Sequence, residues 1–169
     1  MENNSIVINR TKEELRRYSV FSAIERRPLR KLMEYLGPLL GVALIVFFVI
    51  YSDILFLIMG LFLGFYPFML RRMIKKSSDL SFDKNNLNNF EITISFNKDS
   101  FSTLSGDASQ EIKYDDLFRI YSREKDMIIY ISKFSGLYIN KESYSEEVVS
   151  TIMSLIETAV PDKIKTFKY

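Results

Sequence analysis

Apolar residues follow three different periods along this chain, and each period predicts a different element. From Tyr35 to Leu70 they are almost continuous, with Asp53 the only charge in 36 positions. Ahead of that block, Ser5-Ile6-Val7-Ile8-Asn9 is a short β-prone run, and Leu15, Tyr18, Phe21 and Ile24 recur every three residues along one drifting helical face. Thr11-Lys12-Glu13-Glu14 has the S/T-x-x-E form of a capping box, so a strand leading into a helix is predicted, broken at Pro28 because the residue before a proline is pushed out of helical geometry. Behind the block, Ser77 to Asn89 reads as a polar linker. Strict alternation then begins at Phe90-Glu91-Ile92-Thr93-Ile94-Ser95-Phe96.

The continuous block is too long for one span of about 20 residues, and Tyr51-Ser52-Asp53 punctuates its middle. It predicts two membrane-spanning helices, about 35–50 and 54–70. Each is about 25 Å long at 1.5 Å per residue, slightly short for a hydrocarbon core of about 30 Å. Tyr35, Tyr51 and Tyr66 at the interfaces and snorkelling Arg71 and Arg72 would make up the difference. A buried hairpin of a soluble protein is the weaker alternative, because the rest of the chain is too small to cover both helices. The block also starts too far along the chain for a cleaved signal peptide.

The flanks predict orientation. Arg26, Arg27, Arg30 and Lys31 precede the pair, Arg71, Arg72, Lys75 and Lys76 follow it, and the turn between the helices has no basic residue, so both termini are expected in the cytoplasm. The same eight cations are the candidate contacts for anionic lipid headgroups. Gly37-Pro38-Leu39-Leu40-Gly41 and Gly60-Leu61-Phe62-Leu63-Gly64 are both GxxxG and overlap in depth, which predicts close packing of the two helices through Gly37, Gly41, Gly60 and Gly64, with a homodimer through one of these faces as the alternative.

Five further β-prone runs follow the first alternating one: 100–104, 110–114, 118–121, 127–131 and 137–139. Ser143-Tyr144-Ser145-Glu146 has capping-box form and opens a helix carrying Val148, Val149, Ile152, Leu155, Ile156 and Ala159, stopped by Pro161. The expected fold class is therefore α+β: a two-helix transmembrane hairpin plus a cytoplasmic antiparallel β meander capped by a C-terminal helix. With the 5–9 run added, the strand count suits a small curved sheet or split barrel of pleckstrin-homology type, and a flat sheet with a helix on one face is the alternative. The expected parts are 1–34, a strand and amphipathic basic helix; 35–70, the hairpin; 71–89, a basic exit and linker; and 90–169, the cytoplasmic domain.

Composition narrows the chemistry. In 169 residues there is no His, no Cys and no Trp, so a thiolate nucleophile, a disulfide and the nitrogen and sulfur ligands favoured by zinc are absent. The near-neutral total of +2 conceals a net of −4 over residues 77–169, which makes nucleic acid a poor partner. Asp115-Asp116 is a weak metal or acid–base candidate and a better turn or cap. No phosphate-binding glycine pattern occurs, and no cofactor is expected.

The layout resembles the YcxB-like family of bacterial membrane proteins: Gly37-Pro38 opening the first span, two close spans, a basic exit, then a strand meander with Gly106 in a turn, Tyr114-Asp115-Asp116-Leu117, Ile129-Tyr130-Ile131-Ser132 and Tyr138-Ile139-Asn140-Lys141. Tyr114 and Asn140 depart from the family, which commonly has Trp and Pro there. The resemblance implies a bacterial cell-membrane protein with a cytoplasmic YcxB-like domain on a two-span anchor, and it implies no catalytic residue. The expected function is a non-catalytic, membrane-tethered binding or scaffold module, its protein partner unknown. The alternative is a self-protection (immunity) protein against a membrane-acting toxin or bacteriocin.

Overall fold

The structure, a computed structural model, describes residues 4–87 and 91–166. These form two compact units, one of residues 15–85 and one that joins residues 4–14 to 86–87 and 91–166. The second unit is thus assembled from two separated stretches of chain, with the helical unit inserted between its first and second strands.

Strand β1 (Ser5–Asn9) pairs antiparallel with β2 (Glu91–Phe96), in the register Ser5↔Ser95 to Asn9↔Glu91. The N-terminal run therefore belongs to the β domain. Its pleat explains why: Ile6 and Ile8 are buried beside Ile92, Ile94 and Phe96, while Val7 points outward. Strands β3 (Ser100–Ser105) and β4 (Ala108–Lys113) complete a four-stranded sheet in the order β1-β2-β3-β4. Gly106, at φ 57°, makes the tight β3–β4 turn. Phe90, expected to open β2, lies outside the described residues, as do Asn88 and Asn89 of the expected linker.

One continuous meander was expected, and the structure instead has two sheets. A 3₁₀ turn at Tyr114–Asp116 ends the first, and β5 (Arg119–Ser122), β6 (Asp126–Tyr130) and β7 (Gly136–Asn140) begin another. A strand not anticipated, β8 (Ile164–Thr166), lies parallel to β5, giving the order β7-β6-β5-β8. Three residues are too few to show a period, and the proline ahead of them reads as an end. The other strand limits fall within two residues of those expected. Tyr114 and Leu117 bury their side chains at the corner, which pins the change of sheet.

The helix expected after Lys141 is present, with a shifted cap. Lys141–Ser143 is a 3₁₀ turn, and Ser145 rather than Ser143 is the N-cap, accepting from Val148 N–H at 3.4 Å. The resulting helix (Glu146–Ala159) buries Ile152 and Ile156 in one core with residues of both sheets. Tyr144 ties this region to β1 by donating to the Val7 carbonyl at 2.8 Å.

Helix α1 (Lys12–Val20) starts with the reciprocal cap predicted: Glu14 N–H donates to Thr11 Oγ1 at 3.2 Å, and Thr11 N–H donates to the Glu14 carboxylate at 3.1 Å. The helix widens into a π-helical turn at Phe21–Glu25, burying Phe21 and Ile24, and extended Arg27 stops it before Pro28. Two long helices follow, α2 (Pro28–Tyr51) and α3 (Ile54–Lys84), so the one described above as Glu146–Ala159 is α4. Both are longer than the apolar pattern implied, and Ser77–Lys84, expected as linker, is the end of α3. Tertiary ties override the weak propensity of that stretch. Ser78 and Phe82 are buried four residues apart, Arg16 makes two bonds to the Asp79 carboxylate at 2.6 and 2.8 Å, and the Ser19 and Ser78 hydroxyls meet at 3.3 Å. The helix ends where Asn85 Nδ2 donates to the Ser81 carbonyl and Asn86 turns to φ 50°.

Two stability outcomes follow. Ile8→Ala should destabilise the β domain by about 2–5 kcal/mol and Val7→Ala by no more than about 0.5 kcal/mol in chemical denaturation, because only Ile8 faces the core. Equal losses would mean that β1 is not registered on β2. The second outcome concerns Tyr114, whose hydroxyl donates to the Asn97 carbonyl at 3.0 Å; burial foremost, with the charge of Asp99, pushes its phenol up to about 12. An unfolded tyrosine ionises near pH 10, so this contribution is complete below that pH and is lost as pH rises from 10 towards 12. Tyr114→Phe should flatten the alkaline fall in stability across that interval.

Candidate functional site

The helical hairpin carries the candidate site. At 1.5 Å per residue, α2 is about 36 Å long and α3 about 47 Å, and both are long and apolar enough to cross a membrane. Their apolar side chains point away from the protein: Leu39, Val42, Val46, Val49 and Ile50 on α2 and Leu55, Ile58, Phe62, Phe65 and Phe68 on α3 are exposed. A buried soluble hairpin would show the reverse. An exposed apolar surface of this extent marks an interaction face.

The turn between the helices is two residues long. Ser52 takes φ 57°, closing α2, and Asp53 caps α3 by accepting from Leu55 N–H at 2.9 Å. That capping bond accounts for the one charge in the apolar block. Phe47, Tyr51 and Phe56 cluster beside the turn, with ring centroids 5.9–6.3 Å apart.

Three of the four predicted packing glycines lie where the helices approach most closely. A Cβ on Gly41 would lie 2.7 Å from the Gly60 carbonyl oxygen and 2.9 Å from the Gly64 Cα, and a Cβ on Gly60 would lie 2.8 Å from the Gly41 carbonyl oxygen. One on Gly37 would meet the Leu63 carbonyl at 3.2 Å. Gly64 differs: it lets Gly41 approach, yet its own Cβ direction is open. Within the chain, the two helices approach each other through Gly37, Gly41 and Gly60.

The basic residues divide into two groups. Arg71 forms a two-bond ion pair with Glu34, at 2.6 and 2.8 Å, joining α3 to α2 at the open end of the hairpin. Arg30 donates to the Ala23 carbonyl at 3.0 Å. Arg26 and Lys31 are half-buried, whereas Arg27, Arg72, Lys75 and Lys76 are exposed and suited to outside anions. Glu34 was missed as a partner although its position marks it. It lies eighteen residues before Ser52, and Arg71 lies eighteen after Asp53, so a symmetric hairpin brings the two to one level.

A second polar cluster sits in the β5–β7 sheet. Buried Asp126 accepts two bonds from Arg123 at 2.6 Å each and one from the Tyr138 hydroxyl at 3.0 Å. Lys141 Nζ donates to Ser122 Oγ at 2.8 Å and to the Arg123 carbonyl at 2.6 Å. Burial lowers the Lys141 pKa, and the Asp126 and Glu157 carboxylates oppose that shift. These groups serve one another and tie the ends of three strands, a structural use. Asp115 and Asp116 are exposed in the corner turn, as the turn reading anticipated, and among the described residues no three His, Cys, Asp or Glu side chains assemble to hold a metal. In comparisons with known proteins, no family model, no curated protein and no solved structure matches the chain.

The glycines differ enough to be tested one against another. Gly41→Val should sharply lower the resistance of the hairpin to unfolding in mixed detergent micelles, since nothing but backbone stands in the way of the new side chain. Gly64→Ala, whose new methyl meets open space, should leave resistance unchanged or raise it by up to about 1 kcal/mol through helix propensity.

Proposed function

We propose that this protein is a non-catalytic integral protein of the bacterial cell membrane, in which a two-helix hairpin anchors a cytoplasmic binding module of YcxB-like, pleckstrin-homology-like type. The observation that carries the reading is the exposed apolar surface of α2 and α3, bounded at the open end of the hairpin by the exposed cations Arg27, Arg72, Lys75 and Lys76. Lipid satisfies such a surface, and anionic headgroups satisfy such cations.

The pairing of β1 with β2 supports a hairpin that crosses and returns. Strands that share a ladder occupy one compartment, so residues 5–9 and 91–96 lie on the same side of whatever the helices cross. The basic flanks favour the cytoplasmic side for both. Two consecutive sheets sharing a core with one C-terminal helix support the pleckstrin-homology-like reading. The outer backbone of β4, the last strand of its sheet, offers an edge on which a protein partner can add a strand.

Site-directed labelling tests the arrangement in the cysteine-free chain. A thiol at Ser52→Cys should react with an impermeant reagent added outside intact cells, and one at Lys98→Cys should react only after the cells are opened. The reverse pattern would overturn the orientation, and labelling of both in a membrane-free fraction would overturn the anchor.

A further inference from the structure

The two sheets end in four terminal strands, β1, β4, β7 and β8, and only β4 presents a long open edge. Beside β1, Phe96 N–H donates to the Asn4 carbonyl at 2.9 Å, so the even-numbered residues of β1 turn their backbone groups to β2 and Val7 turns its own outward. The Tyr144 hydroxyl occupies that Val7 carbonyl, in the middle of the β1 edge. The three central residues of β7 are buried, and β8 is three residues long. β4 has six residues, all exposed but Ile112, with no proline among them. Among the described residues no strand lies on its outer side.

The pairing of β4 with β3 decides which groups that edge presents. Tyr114 N–H donates to the Asp99 carbonyl at 3.1 Å, and the Gln110 carbonyl accepts from Thr103 Oγ1 at 3.4 Å, so the even-numbered residues serve β3. Ser109, Glu111 and Lys113 therefore turn their N–H and carbonyl groups outward. Their side chains share one face of the sheet, where Ser100 Oγ donates to the Glu111 carboxylate at 2.6 Å and holds that acid in place.

Two β4 strands related by a two-fold axis meet antiparallel, and outward-turned residues must oppose one another, so the axis passes through a residue position. At Glu111 it sets a carboxylate against its own copy, and at Gln110 it leaves Glu111 opposite Ser109. At Ile112 it sets Glu111 opposite Lys113 twice. Charges on an edge deter pairing where they repel, and in this register they attract.

We propose that β4 pairs with β4 of a second copy of this chain, about a two-fold axis at Ile112, joining the two four-stranded sheets into one continuous sheet. The inference rests on the strand-addition reading of β4 above and names its partner. Backbone groups carry the contact, and Glu111 with Lys113 selects the register.

Sedimentation of the full-length chain in detergent micelles over a range of concentrations tests this with the wild type, Glu111→Lys, Lys113→Glu and the double variant. The expected wild-type result is a reversible dimer. Symmetry doubles each change, so either single substitution should weaken association about tenfold or more. The double variant should recover it. Mixing the two single variants should recover it too, since the chain with two cations on its edge then faces one with two acids, and this recovery excludes misfolding as the cause of the loss. A dimer indifferent to these reversals overturns the inference, because the copies then meet elsewhere. A wild-type monomer also overturns it, and hydrogen exchange of the Ser109, Glu111 and Lys113 amides then decides the wider reading. Rapid exchange leaves the edge open to a different protein, whereas protection shows it closed and overturns strand addition as well.

Discussion

The backbone ladder between β1 and β2 is the constraint on which the rest of the molecule depends. It joins Asn9 to Glu91 as register partners and makes everything between them an insertion into a β domain. Closing a loop of 81 residues is an entropic cost, and the helical unit reduces it. The Arg16–Asp79 ion pair brings together residues 63 apart, leaving only 10–15 and 80–90 as connections. By the slow logarithmic dependence of closure on length, that shortening is worth about 1 kcal/mol. Glu34 with Arg71, and Gly41 against Gly60, repeat the same logic further out, so the insertion folds back on itself at each level rather than opening as a flexible loop.

In the membrane setting proposed above, the two long helices would depend on contacts other than the hydrophobic effect for their pairing. In a lipid setting an apolar face gains nothing by turning inward, and close backbone approach, a terminal ion pair and a tight turn must hold the helices together. The sites of Gly41, Gly60, Glu34, Arg71 and Asp53 supply these three elements. Larger side chains are thereby released to face outward. The β domain follows the opposite rule, drawing Ile94, Phe101, Ile120, Ile129 and Ile156 into one water-excluding core.

Periodicity made the hairpin, the first capping box and most strands legible, because each is written in local order: a continuous apolar block, an S/T-x-x-E spacing, an alternation of two. What it missed was decided by contacts distant in sequence. Ser77–Lys84 looks like a linker until Arg16 and Ser19 are brought beside it. β8 is too short to show a pattern and exists because β5 has an open edge. The division into two sheets turns on the buried ring of Tyr114, one residue in an otherwise regular succession of strands. At the candidate site, the basic residues were readable as a group, whereas the withdrawal of Arg71 into a pair with Glu34 required the hairpin symmetry.

The inserted topology also sets an order of events on the ribosome. β1 is translated before its ladder partner, which follows only after residues 10–90 have been made, an interval of about 4–16 s at 5–20 residues per second. Throughout that interval a short strand with Ile6 and Ile8 unshielded waits as an open edge, exposed to any other nascent strand. Its five-residue length and the prompt, self-capped start of α1 limit what it can pair with meanwhile. Assembly of this protein is thus a matter of timing as much as of stability.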